Sequence, residues 1–335
     1  MSISMRTEIV LLGATGFVGS AVLRRLAAKP IRIRAVSRRP AAIPAGAVAD
    51  VEVCPLDLTE PGALAEAVGD CAVVIHTVAH ITGSSTWRID EGDSAAERVN
   101  VGLARDLVAA ARTRAHGDRL GVVFTGAISQ AGPLQTETVD GTELDQPNDE
   151  YSKQKLAAEQ ILLAADAEGV LRATSVRLPA TYGYSAQSSA RDKGVVSTMV
   201  RRALAGEPLT MWHDGTVRRD LLYVEDAAVG LAAATRNLPR LAGRRWVVGT
   251  GRGEPLGAVF RRVADLVAER TGQPPVKVVS VPPPDYAKAA DFRSLTIDAS
   301  AFREATGWHP AVSLDEGLRR TVEFCVDGRE AALSA

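Results

Sequence analysis

The chain has 335 residues, 46% of them hydrophobic, enough apolar sequence for a large core in one large domain or two lobes. Its 39 Lys and Arg against 40 Asp and Glu leave a net charge of −1 and no basic face to hold nucleic acid. Its three cysteines, Cys54, Cys71 and Cys325, form neither metal spacing nor an even-numbered disulfide framework. No charged leader or apolar run of membrane-spanning length is present, so a cytoplasmic protein with reduced thiols is expected, without a membrane partner.

Residues 8–12 read as a buried strand, and residues 20–28 as a helix with Ala21, Val22, Leu23 and Leu26 available for packing. Between them lies Gly13-Ala14-Thr15-Gly16-Phe17-Val18-Gly19. Glycines in a strand-to-helix turn permit a tight bend, a close approach to a pyrophosphate and tight helix-on-strand packing, while the helix N-terminus offers free N–H groups. A glycine triplet alone is an ordinary turn; the strand before and the helix after make it a dinucleotide-site expectation. Strand signals continue at 31–36, 51–54, 72–76, 121–125 and 174–177, with helices at 62–68, 102–114 and 151–167. That alternation predicts an α/β fold, a Rossmann-type doubly wound parallel sheet. After Gly183 the order breaks into a polar stretch at 185–193, a helix at 196–205 and a strand at 209–212, the start of a smaller C-terminal lobe. Pro282-Pro283-Pro284 reads as a stiff local turn.

Tyr151-Ser152-Lys153-Gln154-Lys155 opens the 151–167 helix and puts Lys155 one turn beyond Tyr151 on the same face. An ammonium beside a phenol favours phenolate and draws its pKa from about 10 towards neutrality. Tyr151 then becomes a usable general acid for a developing alkoxide. On an arbitrary surface helix the pair carries no message; after a dinucleotide turn it points to an oxidoreductase.

With these two motifs the chain resembles, over nearly its whole length, the extended short-chain dehydrogenase/reductase family of nucleotide-sugar epimerases, dehydratases and ketoreductases. Pro55-Leu56-Asp57-Leu58, Val74-Ile75-His76-Thr77-Val78-Ala79, Val99-Asn100-Val101-Gly102, Arg177-Leu178-Pro179-Ala180-Thr181-Tyr182-Gly183 and Arg219-Asp220-Leu221-Leu222-Tyr223-Val224-Glu225-Asp226 extend the likeness in the family's order. The resemblance implies a cofactor whose pyrophosphate rests on Gly13, Thr15, Gly16, Phe17, Val18 and Gly19. Asp57 and Leu58 would meet the adenine, and Val78, Ala79, Thr125 and Pro179 would line the rest of the cofactor. It implies that Lys155 holds the nicotinamide ribose and that Asn100 orders the water or backbone feeding Lys155. Segments 224–235 and 246–248 would return to the sheet, so the lobes interleave: residues 1–182 form the NADP-binding domain, with segments near 220–251, and residues 183–335 mainly the substrate lobe. Arg219 would reach a nucleotide-sugar diphosphate with Lys288 or Arg293 as second cation. Trp212 would stack on the base or serve as a packed structural residue. Helices 102–114 and 151–167 would pair in a homodimer.

The end of the second strand, Val36-Ser37-Arg38-Arg39, offers no acid for a ribose 2′-hydroxyl and two guanidinium groups instead. Unless this is only a solvated basic loop, it suits the 2′-phosphate of NADPH, and an NADPH loop argues for net reduction. Gly83-Ser84-Ser85-Thr86-Trp87-Arg88, residues 201–209 and Asp291-Phe292-Arg293-Ser294 narrow the resemblance to 4-ketoreductases acting on dTDP-4-keto-6-deoxyhexoses. There His80, Ser85, Thr86 and Trp87 would hold the hexose, unless that loop is a surface turn with a packed Trp. Ala127 stands where the family has a Ser or Thr that donates to the substrate carbonyl. Loss of one such donor costs on the order of a hundredfold in rate. If 125–129 stays extended, Thr125 and Ser129 share a side with Ala127, which makes Ser129 the substitute donor or a turn-capping hydroxyl. Two other readings stay open: an epimerase with trapped NAD, and a non-catalytic NADP sensor.

Overall fold

The computed structural model describes residues 8–81, 89–114, 118–133, 136–184, 188, 192–212, 214–284, 287 and 289–327. At its centre is a seven-stranded sheet in which every pairing is parallel. β1 (Glu8–Leu12), β2 (Arg32–Ser37), β3 (Asp50–Pro55), β4 (Val73–His76) and β5 (Gly121–Ala127) are joined by the strands Arg172–Leu178 and Arg245–Val247. Across the sheet the order is β3, β2, β1, β4, β5, Arg172–Leu178, Arg245–Val247. Chain direction across the sheet reverses between β1 and β4, which opens a crevice at their carboxyl ends.

Both faces are covered, so the central strands read as unbroken apolar runs; Ile9, Val10, Leu11 and Leu12 are fully buried. One face packs against helices Phe17–Ala27 and Val224–Arg236, the other against Ala63–Val68, Leu103–Thr113 and Glu150–Ala167. The segments expected to return to the sheet thus return differently: Val224–Arg236 as a covering helix, Arg245–Val247 as an edge strand. The first helix starts at Phe17, three residues before the expected position 20, because Gly16 already serves as its N-cap.

A second core gathers Tyr182, Val200, Leu221, Tyr223, Phe260 and Leu318 between helices Val195–Leu204, Leu256–Thr271 and Leu314–Val326. Its strands are short: Ala180–Tyr182, Arg218–Tyr223 and Gly253–Pro255 form one sheet. Leu209–Met211 pairs with Val278–Ser280 and leaves Trp212 beyond the strand end. Asp220 pins three segments together, since its carboxylate accepts from Thr250 N (2.8 Å), Gly251 N (3.1 Å) and Ile297 N (3.1 Å). Cys54, Cys71 and Cys325 form no disulfide, and burial pushes the Cys71 thiol up to about 11. Among the described residues no helix is long and apolar enough to cross a membrane, and no group of His, Cys, Asp and Glu is placed to hold a metal.

Candidate active site

The glycine turn is shaped by contacts that leave no room for side chains. Gly13 has φ 88°, and a Cβ there would stand 2.8 Å from Thr77 Oγ1; on Gly19 it would stand 2.0 Å from the Gly13 carbonyl oxygen. A Cβ on Gly16 would meet only that same oxygen, at 3.2 Å. No side chain caps the helix that follows, so the first-turn N–H groups of Phe17, Val18 and Gly19 have no intrahelical acceptor and face outward. A dinucleotide pyrophosphate fits this cradle by charge and by space.

At the end of β2, Ser37 is buried and its hydroxyl donates to the Arg39 carbonyl (2.8 Å), while Arg38 and Arg39 are exposed. Asp57 Oδ1 accepts from Thr59 N (3.0 Å) and Thr59 Oγ1 (2.7 Å). Those bonds, with the positive charges of Arg38 and Arg98, hold its pKa below the usual carboxylate range. One carboxylate oxygen of Asp57 is therefore committed to its own turn. Leu58 packs in the core, so any adenine contact there is left to its backbone.

A cavity of about 360 Å³ opens at the carboxyl ends of the strands. Phe17, Val18, Thr77 and Ala79 form the side next to the glycine turn; Thr125, Ala127, Ser129, Asp149, Tyr151, Ser152 and Lys155 form one wall; Pro179, Thr181 and Tyr182 form the other. Val195, Val196 and Leu221 close it from the second core. Gly13, Thr15, Gly16, Gly19, Asn100, His80, Trp212, Arg219 and Arg293 lie outside this lining.

Tyr151 and Lys155 project from the helix Glu150–Ala167, whose N-cap Asp149 accepts from Ser152 N at 2.9 Å. The sequence expectation that Lys155 lowers the phenol pKa is not met by the protein's own groups. Desolvation, then the Asp149 charge, pushes the Tyr151 pKa up, while burial lowers that of Lys155 to about 7 against the pull of Glu159. The Lys155 ammonium lies 4.1 Å from the centroid of the Phe124 ring. Beneath it His76 is buried, its pKa lowered to about 3 by burial and then by Lys155, so the imidazole adds no competing charge.

Asn100 sits in a π-turn, Arg98–Gly102, and its amide bonds His80 N (2.7 Å), His80 O (2.9 Å) and Gln154 Oε1 (2.9 Å). These bonds fix the loop after β4 to the helix Glu150–Ala167, and no Asn100 bond to Lys155 is among them. Val78 N donates to His76 Nδ1 (3.2 Å), holding the same loop from the other side.

The chain after Ala127 does not stay extended: Ile128–Ala131 is a turn of 3₁₀-helix, so the shared side inferred for Ser129 from strand periodicity fails. Ser152 Oγ lies 2.8 Å from Ser129 Oγ and 2.8 Å from Asp149 Oδ2. A hydroxyl has one proton and a carboxylate only accepts; Ser152 therefore donates to Asp149, and Ser129 donates to Ser152. Ser129 reaches the cavity as an acceptor, which corrects its expected role as carbonyl donor. The turn is held by Gln130, which accepts from Ala127 N (2.7 Å) and donates to Glu159 Oε2 (3.0 Å). Glu159 takes two bonds from Arg177 and one from Ser175, and Arg177 also forks onto Asp145. Sequence reasoning missed this buried network; its one local signal is Glu159, a further turn along the helix face of Tyr151 and Lys155.

The expected diphosphate cation Arg219 donates to the backbone carbonyls of Arg218, Asp291 and Arg293. That ties it to the 291–293 loop instead of aiming it into the cavity, although Leu221 of the same strand lines it. Arg293 is exposed and Trp212 half-buried. Ser85, Thr86, Trp87 and Lys288 lie outside the described residues.

Residues 9–249 match the model of the "NAD dependent epimerase/dehydratase family". The chain is 28% identical over 320 residues to a dTDP-6-deoxy-L-talose 4-dehydrogenase (NAD(P)(+)) of Kitasatospora kifunensis, covering 93% of each. It is 30% identical over 234 residues, 69% of its own length and 58% of the other, to a 2′-dehydrokanamycin reductase of Streptomyces kanamyceticus. In fold it superposes on a UDP-glucose 4-epimerase with UDP-glucose from Thermotoga maritima, with TM-score 0.78, 22% identity, and coverage of 96% of this chain and 99% of that one. MoeE5 in complex with UDP-glucose and NAD superposes with TM-score 0.77, 25% identity and the same coverage. A glycine cradle at the β1 end, a reversal of sheet order beside it, and Tyr151 with Lys155 on one wall of the crevice agree with these matches: the chain belongs to the NAD-dependent epimerase/dehydratase family, the extended short-chain dehydrogenase/reductases.

Proposed function

We propose that the protein reduces the keto group, at C4, of a dTDP-linked keto-deoxysugar with NADPH. The observation that carries this reading is the single cavity wall holding Tyr151 and Lys155 opposite Phe17 and Val18 of the phosphate-binding turn. When bound, NADPH supplies the hydride, so that C=O becomes CH–OH with one proton from the protein and NADP⁺ as the other product. Tyr151 gives that proton to the oxygen. Lys155, charged below about pH 7 in the empty site, pulls the phenol towards phenolate once its ammonium is drawn to the ribose side. Arg38 and Arg39 hold the 2′-phosphate, and the apolar lining from Val195, Val196 and Leu221 keeps water from the reacting carbon. The dehydrogenase and reductase relatives support the redox class. A dTDP-4-keto-6-deoxyhexose should drive loss of NADPH absorbance, faster than with NADH, and Tyr151→Phe should abolish it. Protein purified with NAD already bound, which interconverts nucleotide sugars without consuming NADPH, would replace the reductase by an epimerase.

A further inference from the structure

Five aliphatic hydroxyls line the cavity: Thr77, Thr125, Ser129, Ser152 and Thr181. Four have committed their protons. Thr77 donates to Leu12 O (2.7 Å) and Thr181 to Pro179 O (3.2 Å), while Ser152 donates to Asp149 and Ser129 to Ser152 by the proton count given above. Thr125 differs. It is 9% exposed, and its Oγ1 is shut off from water with no hydrogen-bond partner among the described residues. It stands on β5 two residues before Ala127; the Cβ direction of Gly126 between them points to Ser175 and Gln130, so residues 125 and 127 share the opposite, cavity side.

We propose that Thr125 Oγ1 donates the hydrogen bond to the reacting substrate oxygen beside Tyr151, replacing the donor that Ala127 lacks. Ser129, with lone pairs towards the cavity, accepts from a neighbouring hydroxyl of the same substrate. A buried hydroxyl without a partner costs stability that an arriving acceptor restores. Because Thr125 Oγ1 has no partner among the described residues, rotating its χ1 towards that acceptor breaks no bond shown there. The inference rests on the reduction reading, and it gives Thr125 a contact to substrate where the family resemblance gave one to cofactor.

The test compares wild type, Thr125→Val, Thr125→Ser and Thr125→Val with Ala127→Ser, using a dTDP-4-keto-6-deoxyhexose and NADPH. Thr125→Val should lower kcat about a hundredfold with NADPH affinity unchanged. Thr125→Ser should stay near wild type, and Ala127→Ser should recover at least about tenfold in the Val background, a rescue that a structural role does not allow. Ligand-free Thr125→Val should also melt about 1–2 °C higher than wild type, since a methyl replaces the unpartnered hydroxyl. If the Val variant does not fold, Thr125→Ala carries the same kinetic expectation. Wild-type kcat in Thr125→Val, or a loss of NADPH affinity matching the loss of kcat, overturns the inference alone. Absence of turnover by the wild type with either NADPH or NADH overturns the reading and the inference together.

Discussion

Lys155 is 3% exposed, and its pKa of about 7 is set by burial. A lysine depressed in the folded state is neutral there but charged in the unfolded chain between about 7 and its ordinary value of 10.5, so its penalty on folding is full below 7 and fades as pH rises. Anionic cofactor favours the ammonium. Binding at about pH 8 should therefore take up a proton, and binding at about pH 5 should not. Calorimetry in buffers of different ionisation heat reads this directly, and Lys155→Met should remove the uptake. Glu159 offers a second check. It is 1% exposed beside Arg177 at 2%, and Glu159→Gln, which leaves a buried guanidinium with Asp145 alone, should cost about 3 kcal/mol in denaturant unfolding. Tyr151 and Lys155 were legible in the sequence because an i,i+4 pair needs only one helix to meet. Gln130 and Glu159, 29 residues apart, meet only through the packing of a turn on a helix, which no local pattern encodes. Ser129 misled for the same reason: its side follows from a turn that breaks the strand's period.

Among the elements, the phosphate turn depends on two glycines for different reasons. Gly13 needs its positive φ, whereas Gly19 needs the absence of a Cβ that would overlap the Gly13 carbonyl. Gly19→Ala should displace the helix start, lower stability by about 1–3 kcal/mol and weaken cofactor binding, as seen by thermal unfolding with and without NADPH. The exposed Arg38-Arg39 pair closing β2 makes a separate prediction: replacing both with Ala should raise the KM for NADPH by about 10-fold to 100-fold, the worth of one charge-assisted bond, and leave that for NADH nearly unchanged. Apolar runs bounded by turns gave away the sheet strands, but not their ends. β5 runs to Ala127, past the expected 125, because its pairing with Arg172–Leu178 continues to Ala127↔Leu178, and pairing is invisible to periodicity. In the second core Leu209–Met211 was expected, as 209–212, but Ala180–Tyr182 and Gly253–Pro255, three residues each, are too short to show a period.

At the scale of the molecule, the helix Val224–Arg236 shares a core with Phe17–Ala27 over one face of the sheet, and Arg245–Val247 extends the sheet beyond Arg172–Leu178. We therefore propose that residues 1–182, the expected cofactor domain, do not suffice by themselves. Expressed alone they should aggregate, because Ile75, Val123 and Val176, on the strands that the helix Val224–Arg236 packs against, lose that cover, while the full chain stays in solution. The interleaving puts the second core's Val195, Val196 and Leu221 against the same cavity as Tyr151, so on the proposed function substrate and cofactor would lie between the two cores and not on one. The doubly wound sheet was legible from alternation alone, whereas the return of the chain to it rested on family resemblance. On the proposed function a hydride passes from NADPH to a sugar carbonyl with Tyr151 as proton donor. The most direct measurement is the mass of the sugar product formed with NADPH deuterated at its transferable position. One deuterium per product molecule is expected, on the carbon that carried the keto group, and no labelled product with Tyr151→Phe. Conversion of the sugar without deuterium, or unchanged labelling in Tyr151→Phe, would contradict it.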